Sequence, residues 1–104
     1  MCKANYSRSI FIHNIEVLIK YNWEPEVEIF LTNKTRIMIV VYKDFVDYIN
    51  TEGKCIKCQN IIEALSLIKW NEIETINSLN GIDFSIPIER QSIFLDGVLW
   101  LTKN

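Results

Sequence analysis

The sequence predicts an α+β fold in which one main helical segment packs on one face of a two-layer, antiparallel sheet. Three features predict it: a pair of alternating apolar runs in the first half, helical spacing after residue 60, and further alternating runs toward the C-terminus. The 104 residues include only 3 Gly and 2 Pro, so most of the chain is expected in regular elements. This length suits a single domain, residues 1–104.

Residues 9–21 are predicted to form the first helix. Helical spacing gathers Phe11, Ile15 and Leu18 on one face, and two serines just before them are candidate N-caps. Strand spacing over the same residues is the alternative, but it places His13 among the apolar side chains.

Residues 26–41 predict a β-hairpin. Apolar residues alternate with others on both sides of an Asn33-Lys34 turn. The first strand has Glu26 and Glu28 on one face and is expected to be half exposed. The second strand is apolar on both faces, so we expect it to lie centrally or to be covered on both sides. Residues 44–49 are expected to form a short helical turn.

The main helical segment is predicted over residues 60–79. Asn60 is a candidate N-cap with Glu63 in the reciprocal capping position, and Gly81 is a natural stop. Beyond it, residues 82–88 alternate like a strand. Two later apolar runs flank an Asp-Gly pair, a strong signal for a second hairpin.

A small, strongly bent β-barrel of Sm-like or SH3-like type, with an N-terminal helix, is the alternative fold. In that arrangement the helix over residues 9–21 precedes about five short strands. It requires residues 60–79 to be mostly strand, against their helical spacing.

Cys55 and Cys58 form the one motif with a chemical mechanism attached. Two thiolates at this spacing can share a zinc ion, and Cys2 and His13 would have to complete the four ligands. A redox-active pair at a helix start is a second interpretation. Half of the expected ligand pattern is missing, which favours two ordinary cysteines flanking a loop. We therefore expect no cofactor.

Catalysis and nucleic-acid binding are not favoured. His13 is the only histidine, and neither a nucleophile motif nor a glycine-rich phosphate loop accompanies it. The net charge is −2, and the basic residues are spread along the chain instead of clustered. The chain has neither a signal peptide nor a membrane-spanning run, so a cytoplasmic protein that does not enter a membrane is expected.

The sequence is therefore expected to encode a small, non-catalytic, intracellular protein-interaction module: a regulator, an inhibitor or an immunity-type protein. Its frequent Ile and Asn are typical of an AT-rich genome, such as that of a low-GC bacterium, its phage or a mobile element. Candidate contact residues are the acidic Glu26 and Glu28 and the apolar Val98 and Trp100 of the last strand. The partner is expected to be another protein or a second copy. A nucleic-acid- or zinc-binding regulatory domain is the alternative.

Overall fold

The fold is a five-stranded antiparallel sheet with one main helix and a second, short helix, as the sequence predicts. A computed structural model describes residues 6–78 and 81–91. Two 3₁₀ turns, at Trp70–Glu72 and Ile88–Arg90, complete the described elements. The helices and strands are α1 (Arg8–Lys20), β1 (Glu26–Leu31), β2 (Arg36–Val41), β3 (Val46–Ile49), β4 (Cys55–Cys58), α2 (Ile61–Leu65) and β5 (Ile73–Ser78).

The strand order is β4-β3-β2-β1-β5. The first four strands form a meander, and β5 returns to pair with the free side of β1. A helix followed by five strands is the layout of the alternative barrel. Within the described residues, however, β4 and β5 do not pair with each other, so the sheet is open and not a closed barrel.

Helix α1 forms where the sequence predicts it. The Ser7 side chain accepts a hydrogen bond from the Ile10 N–H at 3.3 Å, which caps the first turn. The buried residues recur at three- and four-residue intervals, which is the spacing of one helical face. They are Phe11, Asn14, Ile15 and Leu18.

The prediction of a helical segment over residues 60–79, continuous or broken at Trp70-Asn71, is wrong beyond its first turn. Asn60 caps α2 as predicted, accepting from the Glu63 N–H at 2.9 Å, but the helix ends at Leu65. Strand β5 follows, with a register shift that places Ile76 opposite Ile29 and Ile73 opposite Leu31. The bulge turns two side chains three residues apart toward the same face, which imitates helical spacing. The main helix is therefore α1.

Residues 44–49 were also expected to be helical, and this prediction is wrong. They turn and form β3, which pairs with β2 over four residues. Val46 and Tyr48 face the core, while Asp47 and Ile49 face the other way. The apolar residues of this stretch have helical spacing over little more than one turn, and a helix that short is not stable by itself. Pairing with β2 supplies backbone hydrogen bonds along the whole stretch from Val46 to Ile49.

Residues 82–88 were predicted as a strand, but residues 81–91 pack as an irregular segment that ends in a 3₁₀ turn. Asn14 on α1 accepts from the Ile88 N–H at 2.8 Å and donates to the Ile86 carbonyl at 3.0 Å. Gln91 closes the segment on itself, since it donates to the Asp83 carbonyl and accepts from the Asp83 N–H. These side-chain amides take the place of a strand ladder.

The core lies between the inner face of the sheet, the two helices and residues 81–91. Phe11 is at its centre, with the Phe84 ring at 4.8 Å and the Trp70 ring at 5.7 Å between centroids. The Trp70 indole N–H donates to the Tyr6 carbonyl at 2.7 Å. One face of the sheet, the inner face, is therefore covered by the helices and residues 81–91.

Candidate interaction face

The opposite face of the sheet, here called the outer face, carries the side chains that alternate with the core residues. Strand registry places these side chains in rows across the sheet. The outer-face residues are Glu26, Glu28, Phe30, Arg36, Met38, Val40, Asp47, Ile49, Cys55, Lys57, Thr75 and Asn77.

Four apolar side chains occupy the middle of this face: Phe30, Met38, Val40 and Ile49, here called the apolar quartet. Met38 pairs directly with Ile49, and Val40 follows on the same side of β2. All four are half-buried, and none belongs to the core cluster or to the residues packed against it. No described element covers them, so apolar surface is left open at the centre of a sheet.

Charged residues surround the quartet. Glu28 is ion-paired with Arg36, and Asp47 lies opposite Lys57 on the neighbouring strand. Within the described residues the Glu26 carboxylate forms neither a hydrogen bond nor an ion pair. An apolar centre with a charged border is the usual anatomy of a protein contact surface.

A cleft of about 380 Å³ lies at one end of the outer face. Arg36, Met38 and Ile49 line it on the sheet side, and the β3–β4 turn, residues 50–53, forms its wall. The wall is fixed by the Asn50 side chain, which accepts from the N–H groups of residues 52 and 54 at 2.9 Å each. The quartet thus continues into a concave site with a polar rim.

Cys55 and Cys58 lie in β4 and not in the expected loop. Cys55 is exposed and faces outward beside Ile49, whereas Cys58 is buried and faces the core beside Val46. Side chains three positions apart in a regular strand point to opposite faces, so these thiols do not face one ion. Among the residues that the structure describes, no group of three His, Cys, Asp or Glu side chains is placed to hold a metal.

The thiols are also not activated. Desolvation raises the pKa of Cys55, and the charge of Asp47 and a hydrogen bond to it add to the effect. The pKa of Cys58 is raised by its burial and then by the charge of Glu63. A redox pair at a helix start needs the opposite shift. The redox interpretation, like the shared zinc, has no geometric support in residues 6–78.

We expect alkylating reagents to distinguish the two cysteines. In a Cys2→Ser background, Cys55 should be modified in the folded protein and Cys58 only on unfolding. Because Asp47 helps to hold the pKa of Cys55 above its ordinary value, Asp47→Asn should speed modification of Cys55 at pH about 8. Mass spectrometry of the modified peptide measures both effects. Equal modification rates for the two folded thiols would contradict the assignment of Cys58 to the core.

His13 forms a contact between α1 and the 3₁₀ turn at Ile88–Arg90. Its Nε2 lies 2.9 and 2.7 Å from the two Glu89 carboxylate oxygens. The pKa of Glu89 is lowered, first by a hydrogen bond from its own backbone N–H and then by His13, against an opposing effect of desolvation. Both side chains are about half exposed. This ion pair joins residues 81–91 to α1 at the surface.

Among the residues that the structure describes, the basic side chains around the first hairpin do not form a patch. Lys34 and Arg36 precede or begin β2 and Lys43 follows it, so the outer two of these charges are separated by a strand of six residues, about 20 Å. Near Lys43, the Phe45 ring stacks on Tyr42 at 4.7 Å, and the Lys57 ammonium lies 4.3 Å from its centroid. This ring is therefore already in contact with two side chains of its own chain, an aromatic ring and an ammonium group.

Of the predicted contact residues, Glu26 and Glu28 lie on the outer face, while Val98 and Trp100 fall outside the described residues. The apolar quartet was not singled out from the sequence. The sequence feature that indicates it is the run of apolar residues in β2, which makes both faces of that strand apolar. Met38 and Val40 are the two outward side chains among its apolar residues.

No family model, curated protein or solved structure matches this chain. In residues 6–78 and 81–91, none of the helices has the length and apolar character needed to cross a bilayer.

Proposed function

We propose that the protein is a small interaction module that acts by binding another polypeptide chain on the outer face of its sheet. In this proposal it has no catalytic role of its own, as in a regulator, an inhibitor or an immunity-type protein. The observation that carries the proposal is the apolar quartet, which is left open by every described element.

The arrangement of the outer face supports a protein ligand. Half-buried Met38 and Val40 sit at the centre, and burial of their remaining apolar surface favours association. Met side chains adapt to differently shaped partners. The surrounding charged groups, Glu26 among them, give orientation and specificity more than affinity.

Site-specific photo-crosslinking tests this proposal in the cells that make the protein. A photoreactive residue replaces Met38 at the centre of the outer face. A matched control replaces Glu16, which is exposed on α1. We expect crosslinks to a polypeptide chain from position 38 and not from position 16. Equal crosslinking from both positions, or none from position 38, would overturn the proposal.

A further inference from the structure

We infer that the chain bound on the outer face is a second copy of this protein, related by a two-fold axis that runs parallel to the strands between β2 and β3. The inference rests on the proposed function and names its partner. Homodimers with two-fold symmetry need a self-complementary surface, in which each contact occurs twice. The registry of the outer face meets this requirement.

The first argument is charge. One row across the sheet reads Lys57, Asp47, Val40, Glu26, from β4 to β1. Neighbouring strands are about 4.8 Å apart, so an axis midway between β2 and β3 reverses the order of the row. Lys57 of one copy then meets Glu26 of the other, and the same contact forms again on the other side of the axis. Glu26, which has no partner within the described chain, gains one.

The second argument is apolar matching. The next row reads Cys55, Ile49, Met38, Glu28 in the same direction. The same axis places Met38 of each copy on Ile49 of the other, at the centre of the contact. It also brings Phe30 toward the β3–β4 turn that walls the 380 Å³ cleft. The axis also places Asp47 of each copy on Val40 of the other, with Lys57 of its own chain beside it. One operator therefore matches Met38 with Ile49 in one row and Glu26 with Lys57 in the other.

The size of the face sets the strength of the association. Five strands of four to six residues give a projected area of about 400 Å² per copy. Such a contact is at the small end of specific interfaces, where complexes are weak and reversible. We therefore expect a dimer that dissociates on dilution, with a Kd in the micromolar range, about 10–100 µM.

Sedimentation equilibrium in reducing buffer tests the inference through charge reversal. Glu26→Lys alone places two lysines against each other at the border contact, and Lys57→Glu alone places two glutamates there. Each should raise the Kd at least about tenfold. An equimolar mixture of the two variants should associate again, because the mixed dimer restores opposite charges at both border contacts. Glu16→Lys on α1 is the control and should leave the Kd unchanged.

In that mixed dimer, each border contact joins a lysine of one variant to a glutamate of the other, so both contacts are complementary.

Loss of association by a variant is informative only if that variant is folded. Lys57→Glu faces Asp47 on the neighbouring strand, so circular dichroism and thermal unfolding must first show that each variant is folded. Met38→Lys, which leaves these charges intact, should also abolish the dimer. Folded variants whose mixture associates no better than either alone would overturn the two-fold arrangement.

The outcomes separate this inference from the proposed function. A purified protein that is monomeric up to about 500 µM overturns the inference. If position 38 then crosslinks to a different polypeptide in cells, the proposed function stands without it. If position 38 crosslinks only to residues 92–104 of its own chain, both fail.

Discussion

Replacing Phe84 by alanine is expected to lower the free energy of unfolding by about 3–5 kcal/mol. Phe84 is fully buried, and its ring lies 4.8 Å from that of Phe11 at the centre of the core. Truncation removes the buried ring and leaves a cavity beside Phe11. For a domain of this size, such a loss is a large share of the total stability. Chemical denaturation followed by circular dichroism measures it.

Ile86→Ala is the matched control for this prediction. Ile86 lies two residues away on the same segment but is 38% exposed. Its truncation should cost less than about 1 kcal/mol, since little buried surface is lost. Similar losses for Phe84→Ala and Ile86→Ala would show that residues 81–91 do not pack on α1 as described.

Asn14→Ala is expected to cost about 2–4 kcal/mol. The Asn14 side chain is fully buried and bonds to two backbone groups, the Ile88 N–H and the Ile86 carbonyl. Alanine leaves the buried N–H without a partner. The Ile86 carbonyl keeps a longer bond, 3.3 Å, from Gln91. The variant should lose hydrogen-exchange protection at Ile88 before other core amides.

The neighbouring His13→Ala variant isolates this effect. It removes a half-exposed ion pair to the same segment, and such pairs contribute about 1 kcal/mol or less. The two variants therefore compare the loss of unfolding free energy for a buried amide with that for a half-exposed ion pair, at adjacent positions on α1. If His13→Ala proved as destabilising as Asn14→Ala, the buried amide would not be the principal attachment of residues 81–91.

The elements that the sequence predicted correctly depend on local spacing. Phe11, Ile15 and Leu18 define α1, and simple alternation defines β1 and β2. The elements that it missed depend on distant partners. Ile73 and Ile76 imitate a helix because a bulge against β1 turns both inward. The spacing of apolar residues along the chain does not reveal that pairing.

Two further features, one in the core and one on the outer face, also needed the three-dimensional structure. Asn14 interrupts an apolar run in the sequence. Its role in attaching residues 81–91 to α1 is evident only from its hydrogen-bond partners, which lie 72 and 74 residues away. Met38 and Ile49 become neighbours through the β2–β3 register, which a short predicted helix at residues 44–49 concealed. The sequence did identify Glu26 and Glu28 as an acidic face, because alternation alone places them together.

The most direct test of an occupied outer face is the solvent accessibility of the Met38 methyl group in the intact protein. The chain has 2 Met residues, so its ε-methyl NMR spectrum is simple to assign. A soluble paramagnetic agent should broaden the Met38 signal strongly at about 5 µM protein and only weakly at about 500 µM, where the second copy covers it. Equal broadening at both concentrations would contradict coverage of the outer face by association of the protein with itself.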